Sequence, residues 1–144
     1  MDNLTPKRRS EIMAQVRSKD TSAEVRVRKA AHGMGFRFRV HRKDLPGTPD
    51  LVFPKLRTAM FVHGCFWHQH PGCRRSSVPK TRAQFWLEKF RHNLARDQRV
   101  TEALEAEGWA VVVIWECETK SPDELRMAIR RSLSVSAESH AKTK

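Results

Sequence analysis

The sequence has no long apolar run. Its longest purely apolar stretch, residues 109–115, spans seven residues, whereas a helix that crosses a lipid bilayer needs about 20. The N-terminal residues MDNLTPKRRSEIM carry charges where a secretory signal peptide requires an apolar segment. These absences exclude a membrane-spanning helix and argue against secretion, so we expect a cytoplasmic protein with no membrane partner.

Acidic residues are scarce relative to basic ones. The 144-residue chain contains 28 Lys and Arg against 16 Asp and Glu, and its net charge is +12. The basic residues continue through most of the chain instead of forming a tail. A field of this sign favours a polyanionic partner, with nucleic acid as the first candidate and a lipid surface as the second. The length is that of one ordinary domain.

Cysteine is also rare, and its three residues are an odd number for disulfide pairing. A reducing cytoplasm disfavours disulfides, so metal binding or thiol chemistry is the better interpretation. Cys65, His70 and Cys73 are spaced as Cys-x4-His-x2-Cys, and Cys117 follows closely after an apolar run. Three thiolates and one imidazole can form a tetrahedral zinc site, and a closed four-ligand site is structural. The alternative is three unrelated free cysteines and a solvent-facing histidine.

Periodic patterns predict a mixed α/β or α+β fold in one domain, residues 1–134, followed by a disordered tail, residues 135–144. The alternation of apolar and charged residues at 36–40 predicts a strand buried on one face. The valine-rich run at 109–115 predicts a strand covered on both faces. The predicted order begins with a basic, DNA-contacting helix within residues 1–20 and a second helix from Thr21, which Glu24 helps to cap and which Gly33 and Gly35 close. The strand at 36–40 follows, and then a hairpin of strands at 51–53 and 59–62. A helix from Thr81 to Gly108, which Gln84 helps to cap, precedes the strand at 109–115 and a last helix from Ser121 to about Leu133.

Two acidic residues are candidates for a hydrolytic site. Phosphodiester hydrolysis needs a hard cation, a carboxylate that holds it and a base that activates water. Asp50 follows a proline-rich turn at the start of an apolar strand, where an acidic side chain has no evident structural purpose. Its alternative role is to cap that turn. Glu24 can face a metal site from the N-terminus of its helix, or it completes a capping box with Thr21.

Two histidines, His63 and His68, stand between the predicted hairpin and the cysteine cluster. Either imidazole is a candidate for the general base, because histidine titrates close to neutral pH. The alternative is that they are surface histidines, or that one is a spare zinc ligand.

Aromatic residues occupy polar surroundings. Phe66 and Trp67 lie in a loop rich in His, Cys, Gly and Pro, and Trp86 lies close to Lys89 on a predicted helix. Exposed rings beside cations suit base stacking, and apolar wedges between base steps recur in proteins that kink a duplex. The alternative is that the rings cover the zinc loop and the sheet. We favour stacking for Phe66 and Trp67, and packing for Trp86 because Phe90 shares its helix.

The segment from Phe61 to His68, Phe-Val-His-Gly-Cys-Phe-Trp-His, resembles the core of the very short patch repair mismatch endonucleases. The similarity extends from about Lys7 to Leu133, and several separated motifs in the same order are far more specific than one. It implies a restriction-endonuclease-like fold, a central mixed sheet flanked by helices, in which a histidine pair replaces the usual catalytic lysine. The further motifs are Pro46-Gly47-Thr48-Pro49-Asp50, Val78-Pro79-Lys80-Thr81-Arg82, Phe85-Trp86-Leu87-Glu88-Lys89, Asn93, Arg96-Asp97, Gly108-Trp109 and Trp115-Glu116-Cys117.

The resemblance also implies roles for the candidate residues. Asp50 would bind a catalytic Mg²⁺ ion together with the main-chain carbonyl of Val62, and Glu24 would orient water at that ion. His68 would be the general base, and His63 would contact the scissile phosphate region. A structural Zn²⁺ ion would be bound by Cys65, His70, Cys73 and Cys117.

The resemblance assigns DNA contacts as well. An aromatic wedge would enter beside the mismatch from the major groove, one N-terminal residue would enter from the minor groove, and helix residues would reach base edges. The aromatic wedge would consist of Phe66, Trp67 and Trp86, and the residue in the minor groove would be Met13. The helix residues that reach base edges would be Lys89 and Asn93.

The implied function is a strand-specific endonuclease of the bacterial cytoplasm that nicks duplex DNA 5′ to the mispaired T of a T:G mismatch. The nick would initiate very short patch repair of deaminated 5-methylcytosine. We expect a monomer, with mismatch-repair proteins as candidate partners. The alternatives are a nuclease of the same fold with another lesion or sequence specificity, and a non-catalytic zinc-containing DNA-binding module.

Overall fold

The fold, taken from a computed structural model, is described for residues 21–142, and its side chains for residues 21–134. The predicted basic helix within residues 1–20 and the predicted contact of Met13 lie outside the described residues. The described part of the chain is a mixed α/β fold of three α-helices and a three-stranded sheet. The elements are α1 Ser22–Gly33, β1 Leu51–Phe53, β2 Thr58–His63, α2 Ala83–Ala106, β3 Ala110–Trp115 and α3 Pro122–Lys142.

The sheet has the strand order β1-β2-β3. The predicted hairpin is confirmed, because β1 and β2 are antiparallel with Leu51 opposite Met60. β2 and β3 run parallel, with His63 opposite Trp115 at their carboxyl ends. Parallel strands need a long crossover, and here the crossover contains the cysteine-rich loop and α2. The segments that leave β2 and β3 therefore start side by side at one end of the sheet.

Apolar side chains cover both faces of the sheet, because alternate residues of a strand point to opposite sides. Met60 packs on one face with Val27 of α1 and Ile129 of α3. Ala59 packs on the other face with Leu104 of α2. Complete burial of a Val, Leu, Ile or Met side chain is worth about 1.5–3 kcal/mol, so these contacts hold the helices in place on the sheet.

The valine-rich strand predicted at 109–115 is confirmed as β3. Val112 packs against the core that includes Met60, and Val111 packs against the core that includes Ala59, so side chains contact both faces. Within the described residues β3 pairs with β2 alone and is an edge strand of the sheet. Most residues of β3 are therefore half-buried. Among the helices of the described segment, none combines the length and the apolar character that crossing a membrane requires.

The strand predicted at residues 36–40 is reduced to a single bridge. The N–H of Arg39 donates to the carbonyl of Val52, and the N–H of Val52 donates back to Arg39, both at 2.8 Å. The predicted one-sided burial is correct, since Phe36 and Phe38 pack edge-on against Phe53. The ladder is short because prolines at positions 49 and 54 flank β1, and proline has no N–H to donate.

The predicted start of α1 is confirmed, whereas that of α2 is wrong. The side chain of Thr21 accepts a hydrogen bond from the N–H of Glu24 at 3.3 Å. α2 begins after Arg82, not at a Thr81 cap, and Arg82 has a left-handed backbone with φ 57° and makes no side-chain cap hydrogen bond. Its guanidinium lies 4.5 Å from the centre of the Phe85 ring instead. A cation–π contact thus occupies the place where the capping box was predicted.

The end of the last helix also differs from the prediction. The sequence indicates that helical periodicity ends near Leu133, but α3 is assigned as Pro122–Lys142. The start is as predicted, since the N–H of Glu124 donates to the Ser121 hydroxyl at 3.5 Å. The domain boundary at residue 134 and the disordered tail stay predictions.

Candidate active site and metal centre

A cleft of about 970 Å³ opens between the amino end of α1, the turn before β1, the carboxyl end of β2 and the middle of α2. The four predicted catalytic residues, Glu24, Asp50, His63 and His68, all line this cleft. The hairpin register brings Asp50 beside the end of β2, and the loop that follows β2 supplies His68. The fold therefore collects acidic and imidazole side chains from separate elements at one opening.

Glu24 and Asp50 form the acidic side of the cleft. Asp50 Oδ2 accepts a hydrogen bond from the N–H of Val62 at 2.7 Å, and Glu24 pairs with Arg28 at 3.2 Å. Burial is the largest of the effects on the pKa of Asp50, which is raised to about 7. The hydrogen bond from Val62 lowers this pKa, and the negative charge of Glu24 raises it further. Full ionisation of two such close carboxyls favours an additional cation. Carboxylate oxygens are the ligands that Mg²⁺ prefers, so these residues suit the predicted ion.

A glycine contact fixes the turn that carries Asp50. Gly47 has φ +73°, and a Cβ atom at this position would lie 2.4 Å from Cγ1 of Val100 in α2. Glycine avoids this clash and tolerates the left-handed backbone. Val100 lies three residues after Asp97 on α2, so the same contact holds the acidic side of the cleft against the helix that supports its histidine side.

His63 and His68 form the other side of the cleft with Asp97. The two imidazole rings are stacked, with centroids 3.8 Å apart, and His68 Nδ1 lies 2.6 Å from Asp97 Oδ2. Desolvation raises the pKa of Asp97, but the hydrogen bond and charge of His68, together with the charge of Arg96, outweigh it and leave this pKa below its ordinary value. Because an ionised carboxylate only accepts, Nδ1 of neutral His68 carries the hydrogen, and Nε2 keeps the lone pair that a general base needs.

His63 differs from its neighbour in its environment. Burial, and then the proximity of His68, lowers the pKa of His63 to about 4. Its ring is held between the face of His68 and the edge of Trp115, whose centroid is 5.4 Å away. A group with a pKa so far below neutrality is a weak base. This difference favours His68 over His63 as the proton acceptor, and the contact of His63 with the scissile phosphate region stays a prediction.

The ligand atoms of His63, His68 and Asp97 lie within 4.8 Å of one another, which is close enough to consider a metal site. The planes of the two imidazoles are only 7° from parallel. Their nitrogen lone pairs lie in those ring planes and cannot both point at one ion. We therefore interpret this cluster as a hydrogen-bonded base and not as a metal centre.

A second cluster can hold a metal ion. The ligand atoms of Cys65, His70, Cys73 and Cys117 lie within 4.8 Å of one another. His70 Nδ1 is 3.8 Å from Cys65 Sγ and 3.5 Å from Cys117 Sγ. Tetrahedral zinc, with Zn–S near 2.3 Å and Zn–N near 2.0 Å, would separate sulfur from nitrogen by about 3.5 Å. The observed spacing suits such an ion.

The thiols of this cluster also favour a cation. Burial raises the pKa of Cys65. Burial and then the neighbouring Cys65 thiol raise the pKa of Cys117 to about 12. Such thiols act as thiolate ligands when a metal offsets their charge. The Trp115 indole stacks on His70 at 4.2 Å and also meets His63, so it contacts both the metal cluster and the histidine pair.

The predicted wedge residues form a packed aromatic cluster in the free protein. The Phe66 ring centroid lies 5.5 Å from those of Trp67 and Trp86 and 5.1 Å from that of Phe90. Trp67 and Trp86 are each 8% exposed. The expectation of an exposed ring is therefore wrong for Trp67, because the loop folds back onto the apolar side of α2. Insertion into DNA stays a prediction, and it requires this cluster to open.

Lys89 and Asn93 support the same loop from α2. The ammonium of Lys89 lies 5.6 Å from the centre of the Trp67 ring. The Asn93 side chain is buried and donates to the main-chain carbonyl of Trp67 at 3.1 Å. Both residues therefore have structural contacts in the free protein, and their contacts with base edges stay predictions.

Asp97 is the site residue that the sequence interpretation did not single out. In the sequence, Asp97 belongs to the Arg96-Asp97 motif, which carries no predicted role. One signal for it exists in the sequence, since it lies four positions after Asn93 and hence on the same helix face. Its partner His68 is 29 residues away, and only the packing of α2 brings the two together.

Known proteins are similar to this chain over most of its length. Residues 1–75 match the family described as DNA mismatch endonuclease Vsr. The type II nicking enzyme V.XorIIP of Xanthomonas oryzae pv. oryzae is 53% identical over 135 residues, which cover 94% of this chain and 98% of that protein. The type II nicking enzyme V.NmeAIP of Neisseria meningitidis is 42% identical over 130 residues, covering 90% and 92%. The DNA mismatch endonuclease Vsr of Escherichia coli is 42% identical over 117 residues, covering 81% and 74%.

The site and these relatives together define the class of the protein as a DNA nicking endonuclease. Its substrate is therefore DNA. The chain belongs to the Vsr family of DNA mismatch endonucleases. This membership confirms the resemblance that was inferred from the segment between Phe61 and His68.

Proposed function

We propose that this endonuclease hydrolyses one phosphodiester bond on the 5′ side of the mispaired T in a T:G mismatch and thereby initiates very short patch repair of deaminated 5-methylcytosine. The observation that carries the proposal is the convergence of Glu24 and Asp50 with the His68–Asp97 pair on one cleft of a chain with net charge +12. The Escherichia coli relative is named a mismatch endonuclease, which supports the mismatch as the target.

His68 and Asp97 supply the proton-accepting part of the proposed reaction. Nε2 of His68 takes the proton of a water molecule while the water oxygen bonds to phosphorus and the bond to the leaving sugar oxygen breaks. Asp97, 2.6 Å from Nδ1, keeps the ring oriented and stabilises its protonated form. His63, stacked on His68, holds the plane of that ring and contacts the scissile phosphate region.

Asp50 and Glu24 supply the cation-binding part. Asp50, with the main-chain carbonyl of Val62, would hold Mg²⁺, and Glu24 would orient water on the same side of the cleft. When bound, Mg²⁺ contributes positive charge that offsets the charge of the phosphate in the transition state. The raised pKa of Asp50 supports this assignment, because a buried carboxyl of this kind gains most from a cation.

Zn²⁺ is the proposed occupant of the cysteine and histidine cluster. Four protein ligands leave no position for substrate, so the role of the ion is structural. It would join the loop after β2, which carries His68, to the segment after β3, which carries Cys117. We propose in addition that the sheet and helices form a restriction-endonuclease-like fold, and that the protein acts as a monomer in the bacterial cytoplasm with mismatch-repair proteins as candidate partners.

The aromatic cluster supports recognition of a mismatch. Trp67 lines the cleft beside His68, so its ring starts close to the site of cleavage. A mispaired step costs less to unstack than a paired one, which favours insertion at the mismatch. In this proposal the inserted rings are Phe66, Trp67 and Trp86, Met13 enters from the minor groove, and Lys89 and Asn93 reach base edges.

A nickase with a different target is the second candidate function. Two of the three relatives described above are named type II nicking enzymes, and one of them is 53% identical over almost the whole chain. These names favour a nickase defined by its own sequence or lesion more strongly than they favour T:G repair. Both functions use the same catalytic residues, so only the choice of substrate separates them.

Labelled duplexes separate the two functions. Duplexes with T:G or T:A at one position, in varied flanking sequences and with a label on either strand, are incubated with the protein and Mg²⁺. We expect a single nick in the T strand of the T:G duplex, and an inactive Asp50→Asn control. Equal nicking of T:G and T:A duplexes would favour the second candidate. Absence of nicking from all duplexes would favour the non-catalytic zinc module instead.

A further inference from the structure

Three cations at the edge of the cleft have no part in the chemistry proposed above. Arg26 belongs to α1, Arg96 belongs to α2, and Lys120 lies between the 3₁₀ helix Glu116–Thr119 and α3. All three residues line the cleft and are exposed. We call them the rim cations. The fold thus gathers positive charge from three separate elements around one opening.

The rim cations form no ion pair with the acidic residues that line the cleft, although the charge of Arg96 contributes to lowering the pKa of Asp97. Glu24 and Glu116 both line the cleft, but each is paired with another arginine, Arg28 at 3.2 Å and Arg75 at 2.7 Å. Among the residues with described side chains, 21–134, the rim cations take part in no ion pair. Their charge is therefore available to an external anion.

The positions of the rim cations define where that anion lies. Arg96 adjoins the histidine side, because its charge contributes to lowering the pKa of both His63 and Asp97. Arg26 lies on the acidic side, two residues after Glu24 on α1. Both arginines line the same cleft as the catalytic residues, so a polyanion bound in this cleft can contact them together. The backbone of a DNA strand is such a polyanion, since it carries a negative charge at every nucleotide.

We propose that the rim cations form a phosphate clamp, in which Arg26, Arg96 and Lys120 bind backbone phosphates of the nicked strand on the two sides of the scissile bond. This inference rests on the proposed function in that duplex DNA occupies the cleft. Contacts to phosphate fix the register of a duplex without reading its sequence. The clamp therefore aligns the scissile phosphate with the catalytic groups at any target, whichever of the two candidate specificities applies.

The salt dependence of DNA affinity tests the clamp. Each phosphate contact contributes about 0.9 to the slope of log Kd against log salt concentration. Arg26→Gln, Arg96→Gln and Lys120→Gln are each expected to lower this slope by about 0.9, and the triple variant by about 2.7. Between roughly 50 and 200 mM salt, the affinity loss of each single variant should be about 3.5-fold smaller than that of the wild type. Fluorescence anisotropy with labelled T:G and T:A duplexes, without added Mg²⁺, measures these slopes.

Matched controls remove exposed cations that lie outside the cleft, on α1, on α2 and on α3, the helix that follows Lys120. They change the net charge by the same amount, so a slope change confined to the clamp variants cannot come from net charge. The clamp variants should raise KM for the duplex because they remove contacts to the bound substrate, whereas the control variants should leave KM near the wild-type value. The controls are Lys29→Gln on α1, Arg99→Gln on α2 and Arg130→Gln on α3.

The outcomes separate the clamp from the proposed function. Slopes of the clamp variants equal to those of the controls would overturn the clamp, even if the wild type nicks T:G duplexes as proposed. Lowered slopes together with no nicking by the wild type would support the clamp and overturn the proposed function. A lowered slope in only one clamp variant would overturn the assignment of the other two residues.

Discussion

Replacement of Asp50 by Asn tests the electrostatics of the acidic side of the cleft. The pKa of Asp50 is raised from 3.8 to about 7, chiefly by burial and further by Glu24. The folded protein therefore binds this proton more tightly than the unfolded chain. The resulting contribution to stability is complete below about pH 3.8 and is lost as the pH rises through about 7. Asn stays neutral at every pH and keeps an oxygen that can accept from the N–H of Val62.

The expected size of this effect follows from the two pKa values. A shift of about 3 units corresponds to about 4 kcal/mol over the full titration, at about 1.36 kcal/mol per unit. Between pH 5 and pH 8, about 3 kcal/mol of that contribution is lost. The total stability of a domain is about 5–15 kcal/mol. A loss of this size is therefore a large fraction of the whole and is readily measured.

Urea unfolding monitored by tryptophan fluorescence gives the free energy of unfolding at each pH, with zinc present and no added Mg²⁺. We expect the wild type to lose about 3 kcal/mol more than Asp50→Asn between pH 5 and pH 8. The difference between the two proteins cancels the titration of His63, which is present in both. Added Mg²⁺ at pH 8 should stabilise the wild type more than the variant, because it binds the folded, ionised carboxylate. Parallel pH profiles for the two proteins would refute this reasoning.

Three further predictions address the rest of the site. Asp97→Asn should lower the single-turnover nicking rate on the order of 10²-fold, because His68 loses the carboxylate that orients it. DNA affinity measured by anisotropy should stay near that of the wild type. An unchanged nicking rate would contradict a role for Asp97 in the site. Cys117→Ser should lower the zinc content per chain, measured by elemental analysis. The melting temperature should fall as well, because the metal supplies folding free energy. Full zinc content with unchanged stability would contradict the role of Cys117 as a ligand. The double variant Phe66→Ala/Trp67→Ala should lose the preference for T:G over T:A while it keeps salt-sensitive duplex binding, because stacking is worth about 1–3 kcal/mol per ring. Since Trp67 is buried, the melting temperature of the double variant should also fall. Phe90→Leu serves as a control that disturbs the same aromatic cluster without changing the loop. An unchanged ratio of the T:G and T:A nicking rates in the folded double variant would refute insertion.

Local patterns in the sequence were sufficient for several features of the protein. The hairpin of β1 and β2 is readable because two apolar runs flank a short polar connection that contains Pro54. The candidate role of Asp50 is readable because a rigid proline turn delivers an acidic residue to an apolar strand. The spacing of Cys65, His70 and Cys73 predicts metal ligands because the three residues lie on one short loop.

Other predictions from local patterns were wrong, because the structure at those positions depends on residues that are distant in the sequence and close in the fold. The residues at 36–40 alternate as a strand does, but their pairing depends on how far β1 can extend, and prolines limit that strand. Trp67 stands in a polar segment, yet its ring is buried because the loop folds onto Trp86 and Phe90 of α2. Neither outcome can be deduced from the few residues around the position.

What the sequence by itself determined is the set of chemical groups, namely the excess of basic charge, the carboxylates, the imidazoles and the three thiols. The tertiary structure decided which of them act together. Cys117 meets His70 across 47 residues because the carboxyl ends of parallel strands share one end of the sheet. Asp97 meets His68 across 29 residues because apolar contacts hold α2 against that sheet. Burial of Asp50 and its proximity to Glu24 then set its pKa, since local sequence carries no information about how much water surrounds a side chain once the helices have packed.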